Sequence, residues 1–159
     1  MSDSAIDEDA LRAEIAAFLE SQHVVSLATL VDGAAHAANV MYAPEGLSLC
    51  WTSNPASRHS GAIERDPRVA ATVAPDYTDF RLIRGVQIAG RARRLEADEA
   101  VHARELLQRR FPFLRELDAL PAALRAALDK TAFYRLDPEA ITLIDNTKGF
   151  GSRHTLRIS

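Results

Sequence analysis

The sequence predicts a mainly β chain of the α+β class, an antiparallel barrel with flanking helices. Three observations predict it. Between residues 24 and 95, runs rich in β-branched and apolar residues alternate with turn signals at hairpin spacing. Helical periodicity is confined to residues 7–21, a short segment after Ser57, and 98–130. Many short strands with few helices favour closure into a barrel, because closure removes exposed strand edges.

Residues 7–21 read as an amphipathic helix, with Leu11, Ile15, Phe18 and Leu19 at helical spacing and acids in the first turn, where the helix dipole favours them. The period then changes. Val24 to Val31 is a strand, Asp32-Gly33 a hairpin turn, and Ala35 to Ala43 a second strand. Pro44-Glu45-Gly46 turns again, and Leu47 to Ser53 makes a third strand, with Leu47, Leu49 and Trp51 on one face and Ser48, Cys50 and Thr52 on the other. Asn54-Pro55-Ala56-Ser57 leads into a short helix ending near Asp66-Pro67, followed by a strand from Arg68 to Ala74. Phe80 to Leu95 reads as one long strand, kinked at Gly85 or Gly90. Asp98 is the expected cap of a helix that buries Val101, Leu106 and Leu107 and stops near Phe111-Pro112. A further helix is expected over Pro121 to Lys130, then two closing strands, Phe133 to Leu136 and Ile141 to Ile144. Val24 to Val31 is apolar on both faces, so its second face needs a cover, either a helix or another subunit.

Composition bounds the function classes. A chain of 159 residues can bury roughly 70% of its unfolded surface, and no linker or repeat divides it. One domain over 1–159 is the expectation: helix 7–21, barrel core 24–95, helical segment 98–130, closing strands and tail 132–159. The one cysteine, Cys50, excludes an intramolecular disulfide framework and a cysteine-rich zinc site. The histidines show no His-x-x-x-His spacing, so no metal site is expected. The start carries neither positive charge nor an apolar run, and no stretch is long enough to span a membrane, so a cytoplasmic protein is expected. Formal charge is −3, but nine arginines fall within residues 81–115 against four acids. That run lacks interleaved aromatics and is broken by Glu96, Asp98, Glu99 and Glu105, so an ion-paired solvated face is expected rather than a nucleic-acid surface.

Two segments carry recognisable chemistry. Thr52 to Ser60 delivers several hydroxyls and Arg58 at a strand end, leading into a helix N-terminus whose free N–H groups favour an anion. A guanidinium there can hold phosphate oxygens two at a time. The plainer alternative is that Ser57 merely caps the helix and Arg58 is solvated. In Arg84 to Arg91, Gln87 and Arg91 share a strand face opposite Val86 and Ile88, and the Gln87 amide can both donate to and accept from the edge of a heteroaromatic ring. An exposed polar strand face is the plainer alternative there. No Gly-x-Ser-x-Gly elbow supports a Ser-His-Asp hydrolase.

In combination these segments resemble the flavin-binding split-barrel proteins related to pyridoxamine 5′-phosphate oxidase. The likeness runs through Val25-Ser26-Leu27-Ala28-Thr29, Asn39-Val40-Met41-Tyr42, Ser57-Arg58-His59, Asp66-Pro67-Arg68-Val69-Ala70 and Gly85-Val86-Gln87-Ile88-Ala89-Gly90. The tail Asp145-Asn146 to Gly149-Phe150-Gly151 looks like a small bacterial branch of that family. The resemblance implies a six-stranded antiparallel split β-barrel of Greek-key type. It also implies a homodimer with one FMN in each of two interface clefts, acting on a small molecule by flavin-mediated hydride transfer. Ser57 and Arg58 match the family's phosphate anchors, with His59 where relatives often carry lysine. Asn39, Val40, Met41 and Tyr42 match the segment along the isoalloxazine, and Thr52 and Ser53 match residues near the ribityl phosphate. Gln87 matches a glutamine that relatives present to the flavin, commonly across the interface.

The chain also departs from the vitamin-oxidising members. Its strand Ala37 to Tyr42 carries no base where theirs has an Arg-x-Val-Leu-Leu-Lys-like pattern, its only tryptophan is Trp51, and Arg153-His154 is a faint echo of their terminal Arg-x-His. Pyridoxamine 5′-phosphate oxidation itself is therefore not expected, and no side chain is nominated as catalytic. Two alternatives follow: a flavin-binding module without turnover, and a haem-binding or haem-degrading protein on the same scaffold, with His36, His59 or His154 as the iron ligand.

Overall fold

The computed structural model describes residues 7–159. Helix α1 (Glu8–Ser21) starts at Asp7, whose carboxylate accepts from the Asp9 N–H, and its buried stripe is the expected Leu11, Ile15, Phe18 and Leu19. Strands β1 (Val24–Val31) and β2 (Ala34–Met41) form a hairpin. Its turn residues Asp32 and Gly33 have φ of 50° and 79°, the doubly left-handed geometry whose twist matches the flanking strands.

The second expected strand divides, because the chain turns away after Met41. Ala43 to Glu45 forms β3, paired with β4 (Ser48–Ser53), so Pro44 lies in a strand and Gly46 makes the turn at φ 61°. Strand β3 ends the sheet path, where a proline without an N–H interrupts no ladder on its free side. Ser57 caps α2 (Arg58–Arg65), and β5 (Arg68–Val73) follows. The long strand expected from Phe80 is shorter. Asp79 accepts from the Arg81 N–H and winds Phe80–Leu82 into a 3-10 turn, so β6 is Arg84–Arg94.

Helix α3 spans Ala97–Arg110; its first flanking residue is Glu96, not Asp98, and Val101 is 54% exposed rather than buried. Two 3-10 turns then lead to α4 (Ala122–Asp129). The two expected closing strands are one strand, β7 (Ala132–Asp145), and a strand absent from the sequence reading, β8 (Arg153–Arg157), completes the sheet.

All pairings are antiparallel, in the order β2-β1-β5-β6-β7-β4-β3, with β8 paired to β7. The result is the expected split barrel with flanking helices, built from eight strand segments rather than six. Strands β2 and β4 approach each other without a ladder, which is where the barrel is split. One core fills it. Trp51 lies stacked on Tyr134 with ring centroids 5.9 Å apart, among Leu27, Leu49, Ile88, Leu136, Ile141 and Leu143. Ile63 of α2 and the apolar stripe of α1 join the same core. The helical side has smaller clusters of its own, in which Cys50, Leu95 and Ala103 meet, and Ala43, Leu107 and Phe111. Cys50 is therefore as buried as Leu49 and Trp51, because β4 has the barrel on one face and α3 on the other. No described helix is long and apolar enough to cross a membrane.

Candidate functional site

The strand-to-helix corner after β4 gathers hydroxyls around one imidazole. The Ser57 Oγ accepts from the Ser60 N–H at 3.3 Å and donates to the Ser60 hydroxyl at 2.8 Å. The His59 Nε2 lies 2.6 Å from the Ser53 Oγ and 3.3 Å from the Ser57 Oγ. Asn54 pins the turn, its side chain accepting from the Ala56 N–H and its carbonyl from the Ser57 N–H, each at 2.9 Å. Burial, then the neighbouring His36, pushes the His59 imidazole below its ordinary value, so the ring is neutral at pH 7.

Arg58 opens α2, exposed, with no carboxylate partner among the described residues. Its neighbours differ: Arg65 meets Asp32 at 3.6 Å, Arg68 meets Asp66 at 2.6 Å, and Arg94 meets Glu96 at 3.3 Å. The first turn of α2 contains no acid. An uncommitted guanidinium, an acid-free helix N-terminus and polar hydroxyls therefore converge on one corner, which suits a phosphate or another compact anion.

Thr52 is not part of that cluster. Adjacent strand residues point to opposite faces, so Ser53 turns towards His59 while Thr52, like Cys50, faces α3 and donates to the Ala132 carbonyl at 3.0 Å. Asn39, Val40, Met41 and Tyr42 also alternate. Asn39 and Met41 lie on the exposed sheet face, whereas Val40 packs on the core. Tyr42 is wholly buried with its hydroxyl donating to the Leu19 carbonyl at 2.7 Å, and burial raises its phenol above the ordinary range.

The exposed sheet face has an order that the sequence conceals. Register places Asn39 beside Ser26, Ser26 beside Thr72, Thr72 beside Gln87, Gln87 beside Thr142, and Thr142 beside Thr155. Ser26 donates to the Asn39 amide oxygen at 2.7 Å, the two threonine hydroxyls at the far end are 2.8 Å apart, and Arg153 donates to Gln87 at 3.4 Å. Next to this polar row runs a row of alanines, Ala37, Ala28, Ala70, Ala89 and Ala140, again linked pairwise by register. Ser26, Thr72, Thr142 and Thr155 escape sequence reading because membership in the row depends on pairing between distant strands. Gln87 is three strand spacings from Asn39, on the order of 14 Å. Within one chain the two therefore stand well apart.

Among the described residues, no group of three His, Cys, Asp or Glu side chains comes together as a metal site. Cys50 is buried, which pushes its thiol up to about 11, far from a reactive thiolate.

Comparison with known proteins agrees with the fold. The family model for pyridoxamine 5′-phosphate oxidase matches residues 11–145. The UPF0306 protein YhbP of Escherichia fergusonii is 34% identical over 141 residues, covering 87% of this chain and 88% of that protein. A haem-binding protein from Mycobacterium smegmatis superposes with a TM-score of 0.70 at 24% identity, over 96% of this chain and 59% of that one. HutZ, the haem storage protein of Vibrio cholerae, superposes with a TM-score of 0.64 at 17% identity, over 80% of this chain and 89% of that one. The two superpositions speak to the fold, and the matched residues to descent: the chain belongs to the pyridoxamine 5′-phosphate oxidase family.

Proposed function

We propose that the protein binds FMN and works as a flavin-dependent oxidoreductase on a small molecule. It would act as a cytoplasmic homodimer, with the flavin between subunits. The observation that carries this reading is the corner at the start of α2, where Arg58, without a carboxylate partner among the described residues, lies beside Ser57, Ser53 and the neutral His59. The donor set fits a phosphate: a guanidinium fork, hydroxyls, and the first N–H groups of a helix with no acid in its first turn.

In this reading Arg58 and the free N–H groups of α2 hold the phosphate, Ser53 supplies a hydrogen bond beside it, and Ser57 adds another by turning its proton from the Ser60 hydroxyl to the ligand. Neutral His59 adds a hydrogen bond rather than a charge at pH 7, which distinguishes it from a lysine at that place. Asn39 and Met41 present the sheet face to the ring. Gln87, well apart from Asn39 of its own chain, faces the partner's flavin. The flavin, when bound, supplies the redox chemistry by accepting or delivering hydride. The chain's own residues orient it and exclude water.

Arg58→Ala should weaken FMN binding at least tenfold, since a hydrogen bond to a charged group is worth about 1.5–3 kcal/mol. Arg115→Ala, at an exposed arginine without a partner among the described residues, should change it less than twofold. Fluorescence quenching of added FMN reads both, and equal affinities would refute the anchor. A second reading draws on the two haem proteins of the same fold. There the iron ligand would be His36, His59 or His154, all half-buried. The absorption spectrum separates the two, a released yellow flavin favouring the first and a Soret band the second. A flavin that binds without turning over with any reductant would leave a binding module.

A further inference from the structure

The helical side of the molecule holds a cavity of about 210 Å³ between the end of β4, the start of β7, α3 and the segment leading through α4. Its floor is apolar, made by Leu107 and Phe133, with Leu114, Leu117 and Leu128 on the outer wall. These last three are only half-buried, and α4 has no fully buried residue, so the outer wall is incompletely packed. Of the residues discussed above for FMN, only Thr52 reaches it, from the strand face opposite Ser53.

The polar groups on its lining divide into two sets. Arg104 lies over the Phe133 ring, 5.5 Å from its centroid, and has no carboxylate partner among the described residues. Gln108, one helical turn on, brings an amide to the same side. Opposite in charge is Asp129, at the C-terminal end of α4, where the helix dipole disfavours an acid. It too is without a salt bridge among the described residues, to Arg104 or to any other cation. Two hydroxyls complete the lining, and the proton of each is already committed: Thr52 donates to the Ala132 carbonyl at 3.0 Å and Thr131 to the Leu128 carbonyl at 2.7 Å. Both therefore offer lone pairs only.

We propose that this cavity is a second binding site, for a small zwitterion with an apolar body: an α-amino acid with a branched aliphatic side chain. The inventory matches group by group. A carboxylate takes the Arg104 fork and the Gln108 amide. An ammonium has three protons to donate, and Asp129, Thr52 and Thr131 are three acceptors. The side chain completes the burial of Leu114, Leu117 and Leu128. The cavity is smaller than the roughly 300–1,000 Å³ of pockets for drug-sized ligands, which suits a molecule the size of valine or leucine. The site stands independently of the FMN reading.

Isothermal titration of the full-length protein, with whatever cofactor it carries, tests the assignment. L-Leucine should bind saturably with one site per chain. The isosteres 4-methylpentanoic acid, lacking the ammonium, and 3-methylbutylamine, lacking the carboxylate, should each bind at least tenfold more weakly. Arg104→Gln should weaken leucine at least tenfold and leave the affinity for 3-methylbutylamine unchanged. Asp129→Asn should do the converse with 4-methylpentanoic acid. Both residues are exposed, so the unliganded variants should melt within a few degrees of the parent, and their FMN affinity should be unaltered. No saturable heat with millimolar leucine or valine overturns the proposal. So does 4-methylpentanoic acid binding as tightly as leucine, or loss of FMN affinity together with leucine affinity in the variants.

Discussion

Arg110 belongs by sequence to a run of surface arginines, yet its side chain is only 12% exposed. Its guanidinium donates to the carbonyls of Glu20 (2.9 Å) and Gln22 and to the Glu20 carboxylate at 3.0 Å, and it lies 5.7 Å from the Tyr42 ring centroid. It thus satisfies carbonyl groups at and beyond the end of α1, which has no basic residue in its own last turn. Arg110→Ala should therefore cost about 2 kcal/mol or more, against less than about 0.5 kcal/mol for Arg115→Ala, both read from urea unfolding. Equal losses would mean that the contacts to α1 are incidental. Other members of the run do behave as solvated ion pairs, Arg93 with Glu99 at 2.5 Å and Arg94 with Glu96 at 3.3 Å. Composition and spacing identified the run but could not distinguish its members, because which arginines meet α1, here Arg84 and Arg110, is decided by contacts some seventy to ninety positions away. The corner at the start of α2 was legible for the opposite reason. Ser53, Ser57, Arg58 and His59 lie within seven consecutive residues, and a local turn alone brings them together.

Strand β7 shows where local patterning fails at the level of elements. Asp137-Pro138-Glu139 interrupts its apolar alternation and reads as a break, but the chain continues through it with one residue bulged against β6. The accommodation lies on the other strand. A Cβ on Gly90 would sit 2.4 Å from the Asp137 carbonyl oxygen and 2.9 Å from the Pro138 Cα, so only glycine fits. Gly90→Ala should destabilise by about 1–3 kcal/mol by differential scanning calorimetry, and no change would show that the bulge shifts freely. The edge pair β3–β4 is tied to the helical side by charge. Glu45 is hydrogen-bonded by His102 of α3 and by Arg135 of β7 at 2.6 Å, and these contacts, opposed in part by burial, hold its carboxyl below the usual value of 4.5. With the folded value the lower one, the unfolded chain takes up the proton first. The contribution is present above about pH 4.5 and is lost as pH falls through the folded value. Glu45→Gln should flatten this acid limb of a stability-against-pH curve measured in urea, and an unchanged limb would assign it to Asp137 or Asp145, whose carboxyls are also held low.

At the scale of the whole molecule, the exposed sheet face is broad, patterned and shallow. Its alanine row lets another surface come close, and the polar row beside it offers hydroxyls and amides in sequence. On the reading proposed above, this is the face that meets the second subunit. Ala70, exposed and central between Ala28 and Ala89, is the position to test. Ala70→Glu should convert a dimer to a monomer in sedimentation velocity and weaken FMN binding with it. A dimer that survives would move the interface elsewhere. The barrel itself was readable because period-two strands and hairpin turns are local. Strands β3 and β8 escaped although their partners lie close in sequence: β3 is three residues with a proline inside, and β8 has Leu156 as its one apolar side chain, so neither shows the apolar alternation that marks a strand.

The pairing of β6 with β7 has a consequence of a different kind. Arg94 stands opposite Tyr134, so the two strands form a hairpin whose connecting loop is the whole segment from Leu95 to Thr131, helices α3 and α4 included. The ends of that loop are fixed by the ladder whatever lies between them, and the entropy of closing it rises only slowly with length. The strand register therefore tolerates changes in the outer part of this segment, from Pro112 through α4, whereas α3, which covers Cys50 and carries His102 and Arg110, is tied to the barrel. That outer part has no fully buried residue, so its length and sequence can change at least cost to the strands beneath.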